Sequence, residues 1–167
     1  MAIIQQKDLS KIKTWHPDKM IVYASGSFDL VHAGHILFFR DCADMGGVLV
    51  VNVGSDYDIK ELKGPSRPIL NQHIRLYTIN QLKPVDYCFI GKPMTNPENP
   101  LLGMEEIFRD LRPDIYVINP DAFDIPFRKR VSADFGVKLV ILARTCPPEF
   151  EAISTSNIIE KIQRLPH

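Results

Sequence analysis

The chain has 167 residues, 45% of them hydrophobic, which suits a single domain (residues 1–167) able to bury a core without disulfides or a structural metal. Its 20 Lys and Arg balance 20 Asp and Glu, so no global field draws nucleic acid or an anionic membrane surface, and any anion site must be local. The three cysteines (Cys42, Cys88, Cys146) are widely spaced, no apolar run approaches the roughly 20 residues of a membrane span, and "MAIIQQKDLSKIK" lacks an apolar signal block; a reducing, cytoplasmic setting is expected.

A short helix is expected over about 7–15, then a strand at "MIVYAS" (20–25) and a helix over about 34–45. A second apolar run, "GVLVVNVG" (47–54), leads into a polar, basic loop and a helix over about 71–82. The third run is "VDYCFIG" (85–91), followed by "GKPMTNPENPLLG", whose Pro and Asn fit either a surface turn or an acceptor-facing loop, and a helix over about 103–111. "PDIYVIN" (113–119), a helix over about 126–135, "VKLVILA" (137–143) and a helix over about 154–164 complete the chain. Short, nearly continuous β-branched runs read as strands covered on both faces, and their alternation with helices implies right-handed crossovers. The expected fold is α/β: a Rossmann-like, doubly wound, five-stranded parallel sheet with helices on both faces.

In such sheets ligands bind beyond the carboxyl ends of the strands. The first loop, "GSFDLVHAGH", opens a helix. Gly26 and Gly34 let a bulky anion approach the backbone, Ser27 adds a hydroxyl, and His32 and His35 add donors beside the free N–H groups of a helix start. The same histidines also read as simple loop and cap residues, or with Asp29 as an incomplete zinc set. Neither GxxxxGK[ST] nor GxGxxG occurs. The second loop gathers Lys60, Lys63 and Arg67, either a solvated basic stretch or a flexible flap over the same phosphates. The last loop ends in Ser154, Thr155 and Ser156; one hydroxyl suffices for a helix cap, which leaves spare donors.

"FDLVHAGH" resembles the HxGH signature of the cytidylyl- and adenylyltransferase superfamily, and "ISTS" resembles its second signature. "MIVYASGSFDLVHAGH", "LKGPSRPI", "VDYCFIG", "LRPDIYVI" and "STSNIIEKIQ" follow the order and spacing of bacterial heptose-phosphate adenylyltransferases. The resemblance implies that His32, His35 and Lys63 are catalytic. It implies that Gly26, Ser27, Phe28, Asp29, Gly34, Lys60, Arg75, Asp121, Ser154, Thr155 and Ser156 bind the nucleotide. It further implies Mg²⁺ accompanying the triphosphate, with Asp29 an indirect ligand, and a homodimer. In the implied reaction an acceptor phosphate oxygen attacks the α-phosphate and pyrophosphate leaves, without a general base.

Three departures bear on the substrate. Where the adenylyltransferases read roughly KGGDY, this chain has "INPDAF", with Ile118 in place of a lysine, Asn119 and Pro120 in place of glycines, and Asp121 kept. The arginine that cytidylyltransferases carry before ISTT has no counterpart in "PPEFEA". Ser25 and Ser27 stand in the family's "NGCFD" turn. ATP with a sugar 1-phosphate is the expected pair; CTP with a phospho-alcohol, and nucleotide binding without catalysis, are the alternatives.

Overall fold

Continuous apolar runs need cover on both faces, and the computed structural model, which describes residues 2–94, 101 and 103–166, supplies it. β1 (Ala2–Ile3), β2 (Met20–Gly26), β3 (Gly47–Val53), β4 (Tyr87–Ile90), β5 (Ile115–Ile118) and β6 (Lys138–Ile141) form one parallel sheet in the order β1-β4-β3-β2-β5-β6. The doubly wound class holds, but the expected five strands become six. β1 escapes a reading by periodicity because it is two residues long; it is held by Ala2 N donating to Asp86 O at 2.8 Å and Ile4 N to Cys88 O at 3.0 Å.

The helices are α1 (Leu9–Trp15), preceded by a 3₁₀ turn at Gln6–Asp8, α2 (Ala33–Ala43), α3 (Asp56–Lys63), α4 (Gln72–Asn80), α5 (Gly103–Leu111), α6 (Ile125–Asp134) and α7 (Thr155–Gln163). Alternate strand residues feed two cores. On one face Phe39 and Cys42 of α2 and Leu76 and Ile79 of α4 pack on Val22 and Leu49. On the other, Leu9 of α1, Phe108 and Leu111 of α5 and Phe127 of α6 pack on Tyr23 and Tyr116.

α3 corrects the expectation of a flexible basic loop. Ser55 caps it, its side chain accepting from Asp58 N at 3.1 Å, and Gly64 ends it at φ 94°. Only Ile59 of α3 is buried, so its apolar periodicity is too thin to show in the sequence. Most of the Pro- and Asn-rich loop lies outside the described residues. Among the described residues no helix is long and apolar enough to cross a membrane.

After β2 the chain winds outward through β3 and β4, then crosses back to place β5 on the other side of β2. The switch point therefore lies between β2 and β5, where a crevice forms above the strand ends.

Candidate functional site

A cleft of about 1110 Å³ opens there, walled by the first loop and start of α2, the end of α3, the loop after β6 and the start of α7. A space of this size holds a nucleotide with room beside it.

The two histidines define one wall. His32 is the N-cap of α2, and its Nδ1 accepts from Gly34 N at 3.1 Å; His35 Nδ1 in turn accepts from His32 N at 3.4 Å. With both Nδ1 atoms acting as acceptors, each ring carries its proton on Nε2, the atom left for a ligand. The rings stack with centroids 4.0 Å apart. Burial, then Arg144, holds His32 below the usual 6.5; burial, then His32, Arg144 and Lys63, takes His35 down to about 3. Both are thus neutral donors at neutral pH. Gly34 packs tightly on the cap: a Cβ there would lie 3.0 Å from His32 Cε1, so the imidazole would have to give by a few tenths of an ångström.

The first loop is strained and braced. Phe28 and Leu30 adopt left-handed backbone at φ 47° and 46°, a conformation that costs on the order of 1–3 kcal/mol per non-glycine residue. Phe28 turns its ring back over Gly26, where a Cβ would meet Phe28 Cζ at 2.9 Å, and stacks edge-on against His35. Asp29, fully buried, accepts from Ile69 N at 2.7 Å, Leu70 N at 3.0 Å and Arg67 Nε at 3.2 Å. Arg75, also fully buried, donates to Ser27 O at 2.6 Å, Gly54 O at 2.8 Å, Leu70 O at 2.9 Å and Asp56 Oδ1 at 2.7 Å. These two residues, expected as nucleotide contacts, hold the loops in place through these bonds. Asp29 also lines the cleft, its carboxylate engaged by the three donors from Ile69, Leu70 and Arg67.

Lys63 reaches the cleft from the last turn of α3, and burial followed by Arg67 lowers its pKa. Lys60 does not join it: the helix fixes it in a separate shallow depression beside Tyr57 and Pro68. Across the cleft Ser154 caps α7, its Oγ accepting from Asn157 N at 3.2 Å, and Thr155 Oγ1 donates to Asp29 O at 2.8 Å. Ser156 is the exposed hydroxyl of the three. Gly26, Ser27, Phe28, Gly34 and Asp121 also line the cleft, with Asp121 exposed at the rim and paired to Arg144 at 2.6 Å.

Arg144, Arg128 and Asn52 line the same cleft and were not singled out in the sequence. Arg144 directly follows the fifth expected strand, a position that marks it; the other two lie in a helix and a strand, with no motif around them. Among the described residues no three His, Cys, Asp or Glu side chains group to hold a metal ion, so the incomplete zinc set is not assembled. The donor set fits a magnesium ion carried by triphosphate oxygens and water rather than caged by protein.

Residues 23–161 match the Cytidylyltransferase-like family. The chain is 32% identical over 157 residues to Bifunctional protein HldE of Helicobacter pylori (strain P12), covering 93% of this chain and 30% of that protein. It is 36% identical over 147 residues to Bifunctional protein HldE of Campylobacter jejuni subsp. doylei, covering 87% and 28%. The chain thus spans about three tenths of the length of these curated relatives. A lipopolysaccharide core biosynthesis protein from Thermoplasma volcanium GSS1 superposes with a TM-score of 0.61 at 25% identity, over 76% of this chain and 97% of that one. Pantoate-beta-alanine ligase from Francisella tularensis, complexed with beta-gamma ATP and beta-alanine, shares the fold at TM-score 0.66 and 14% identity, over 95% and 73%.

Proposed function

Because the chain belongs to the cytidylyltransferase-like family and is a nucleotidyltransferase, we propose that it transfers AMP from ATP to a sugar 1-phosphate such as D-glycero-D-manno-heptose 1-phosphate, releasing pyrophosphate. One observation carries this reading: two stacked imidazoles, each committed through Nδ1 to a backbone N–H, present neutral Nε2–H donors at a helix start inside the cleft. The heptose acceptor draws support from the likeness to the HldE proteins and to the Thermoplasma core biosynthesis protein.

The chemistry asks for positioning and charge stabilisation. An anionic acceptor oxygen bonds to the α-phosphorus as the bond from that phosphorus to the bridging oxygen breaks, and that oxygen leaves with pyrophosphate. His32 and His35 donate to phosphate oxygens that gain charge, and their neutrality spares them repulsion from Lys63 and Arg144. Lys63 supplies positive charge at the α-phosphate or acceptor, and the start of α7 with Ser156 receives the β- and γ-groups. A magnesium ion bound with the triphosphate would neutralise part of its charge, held by phosphate oxygens and water rather than by a cluster of protein carboxylates. Asp29, Arg75 and Thr155 act by fixing the loop and helix that carry these donors.

A second reading, CTP with a phospho-alcohol, is favoured by Arg144, which brings a guanidinium to the cleft from ten residues ahead of Ser154. Pyrophosphate release measured with ATP, CTP, GTP and UTP against sugar 1-phosphates and phospho-alcohols separates the two. Release with ATP and heptose 1-phosphate supports the proposal, release with CTP alone selects the second reading, and bound nucleotide without release marks a non-catalytic paralogue. A cytoplasmic homodimer belongs to the same proposal, and sedimentation velocity tests the dimer.

A further inference from the structure

The sheet face opposite α2 carries a second polar group that the nucleotide-binding scheme leaves unused. The strand registers set Tyr23 beside Tyr116 and Ser25 beside Asn52, so all four share the face covered by α5 and α6. Tyr116 Oη bonds to Ser25 Oγ at 3.0 Å and accepts from Arg128 of α6, whose Nε also donates to Phe123 O at 2.6 Å. These anchors hold the guanidinium at the cleft wall, and among the described residues no carboxylate lies within 4.0 Å of it and Nη2 has no partner. Asn52 donates through Nδ2 to Tyr23 Oη at 3.1 Å; its Oδ1 is buried and receives no hydrogen bond among the described residues.

Asn52 Oδ1, a buried acceptor without a donor, is costly until a partner completes it, and the half-buried Arg128 guanidinium keeps Nη2 free for an anion. The complement is an anion joined to a hydroxyl-bearing skeleton, which is a phosphorylated sugar or polyol. Position agrees with chemistry. The histidines stand on the α2 side of the sheet and Arg128 on the α6 side, so an anion held by Arg128 faces the triphosphate from the opposite wall, as an in-line displacement demands. The apolar Ile118 and Ile107, which line the cleft on the same face as Arg128, offer cover for the carbon skeleton.

We propose that Arg128 and Asn52 form the acceptor subsite: Arg128 binds the acceptor phosphate, Asn52 Oδ1 accepts from one of its hydroxyls, and Tyr116 and Ser25 are positioning residues for the guanidinium. The proposal rests on the nucleotidyltransferase reading. Calorimetry tests it with heptose 1-phosphate, glucose 1-phosphate, the same sugars without phosphate and inorganic phosphate, each titrated into protein saturated with a non-hydrolysable ATP analogue. Arg128→Gln should weaken sugar phosphates and inorganic phosphate tenfold or more, with the affinity for the ATP analogue within twofold, and Arg128→Lys should recover part of the loss. Asn52→Leu should weaken the sugar phosphates but leave inorganic phosphate unchanged. Thermal melts establish that each variant is folded. Unchanged sugar-phosphate affinity in Arg128→Gln, no binding by the wild type, or equal loss of the ATP analogue would overturn the subsite. Pyrophosphate release keeps the two readings apart: normal release by Arg128→Gln overturns the subsite alone, whereas sugar-phosphate binding lost in that variant, with no release by the wild type, supports the subsite and removes the catalytic reading.

Discussion

Replacing His35 with glutamine should flatten the acid limb of the stability curve. Burial, reinforced by His32, Arg144 and Lys63, takes the His35 imidazole to about 3 in the folded chain, against about 6.5 when it is solvated. Between those values the unfolded chain binds a proton that the folded one refuses. Stability from this group is therefore fully present above pH 6.5 and is lost as pH falls toward 3. At pH 5, about 1.5 units below the unfolded value, the loss is about 2 kcal/mol at about 1.36 kcal/mol per unit. Urea melts at pH 7.5 and pH 5 measure it, because wild type and His35→Gln share every carboxylate contribution. The wild type should lose about 2 kcal/mol more than the variant over that interval. Equal losses, or a His35 ring proton that titrates near 6.5 by NMR, would refute the neutral-donor assignment.

Arg75→Met should cost about 3–5 kcal/mol by urea melt, since it orphans three carbonyls, Ser27 O, Gly54 O and Leu70 O, at about 1–3 kcal/mol each where buried, while the half-exposed Asp56 is resolvated. Gly34→Ala should lower kcat/KM by about 10- to 100-fold, because the new methyl displaces His32 from its cap, while helix propensity keeps stability within about 1 kcal/mol. Thr155→Val removes the bond to Asp29 O and should cost about 1 kcal/mol, raising KM for the nucleotide more than for the acceptor. Steady-state kinetics with each substrate varied in turn checks both effects.

Long continuous apolar runs were legible because a doubly covered strand has no polar face to interrupt it; "GVLVVNVG" is β3 almost to the residue. β1 and α3 were not, the first being too short for any period and the second burying only Ile59. The candidate site divides in the same way. His32, His35 and the ISTS hydroxyls stand in contiguous motifs, so their meeting point follows from the parallel sheet. Asp29 stands in the first of these motifs and Arg75 outside them in α4, and their partners lie 40 and 48 residues away, at Ile69 and Ser27. Only tertiary structure shows the bracing bonds they make. Arg128 and Asn52 depend on strand register and on the face of a helix, which no local pattern records.

Pyrophosphate release from ATP and heptose 1-phosphate in the presence of Mg²⁺, compared between wild type and His35→Ala, shows whether that imidazole acts on the transferred phosphate. Release should fall by about a hundredfold or more on loss of one transition-state donor, with the fold intact by circular dichroism. An unchanged rate in His35→Ala would contradict that action on the phosphate.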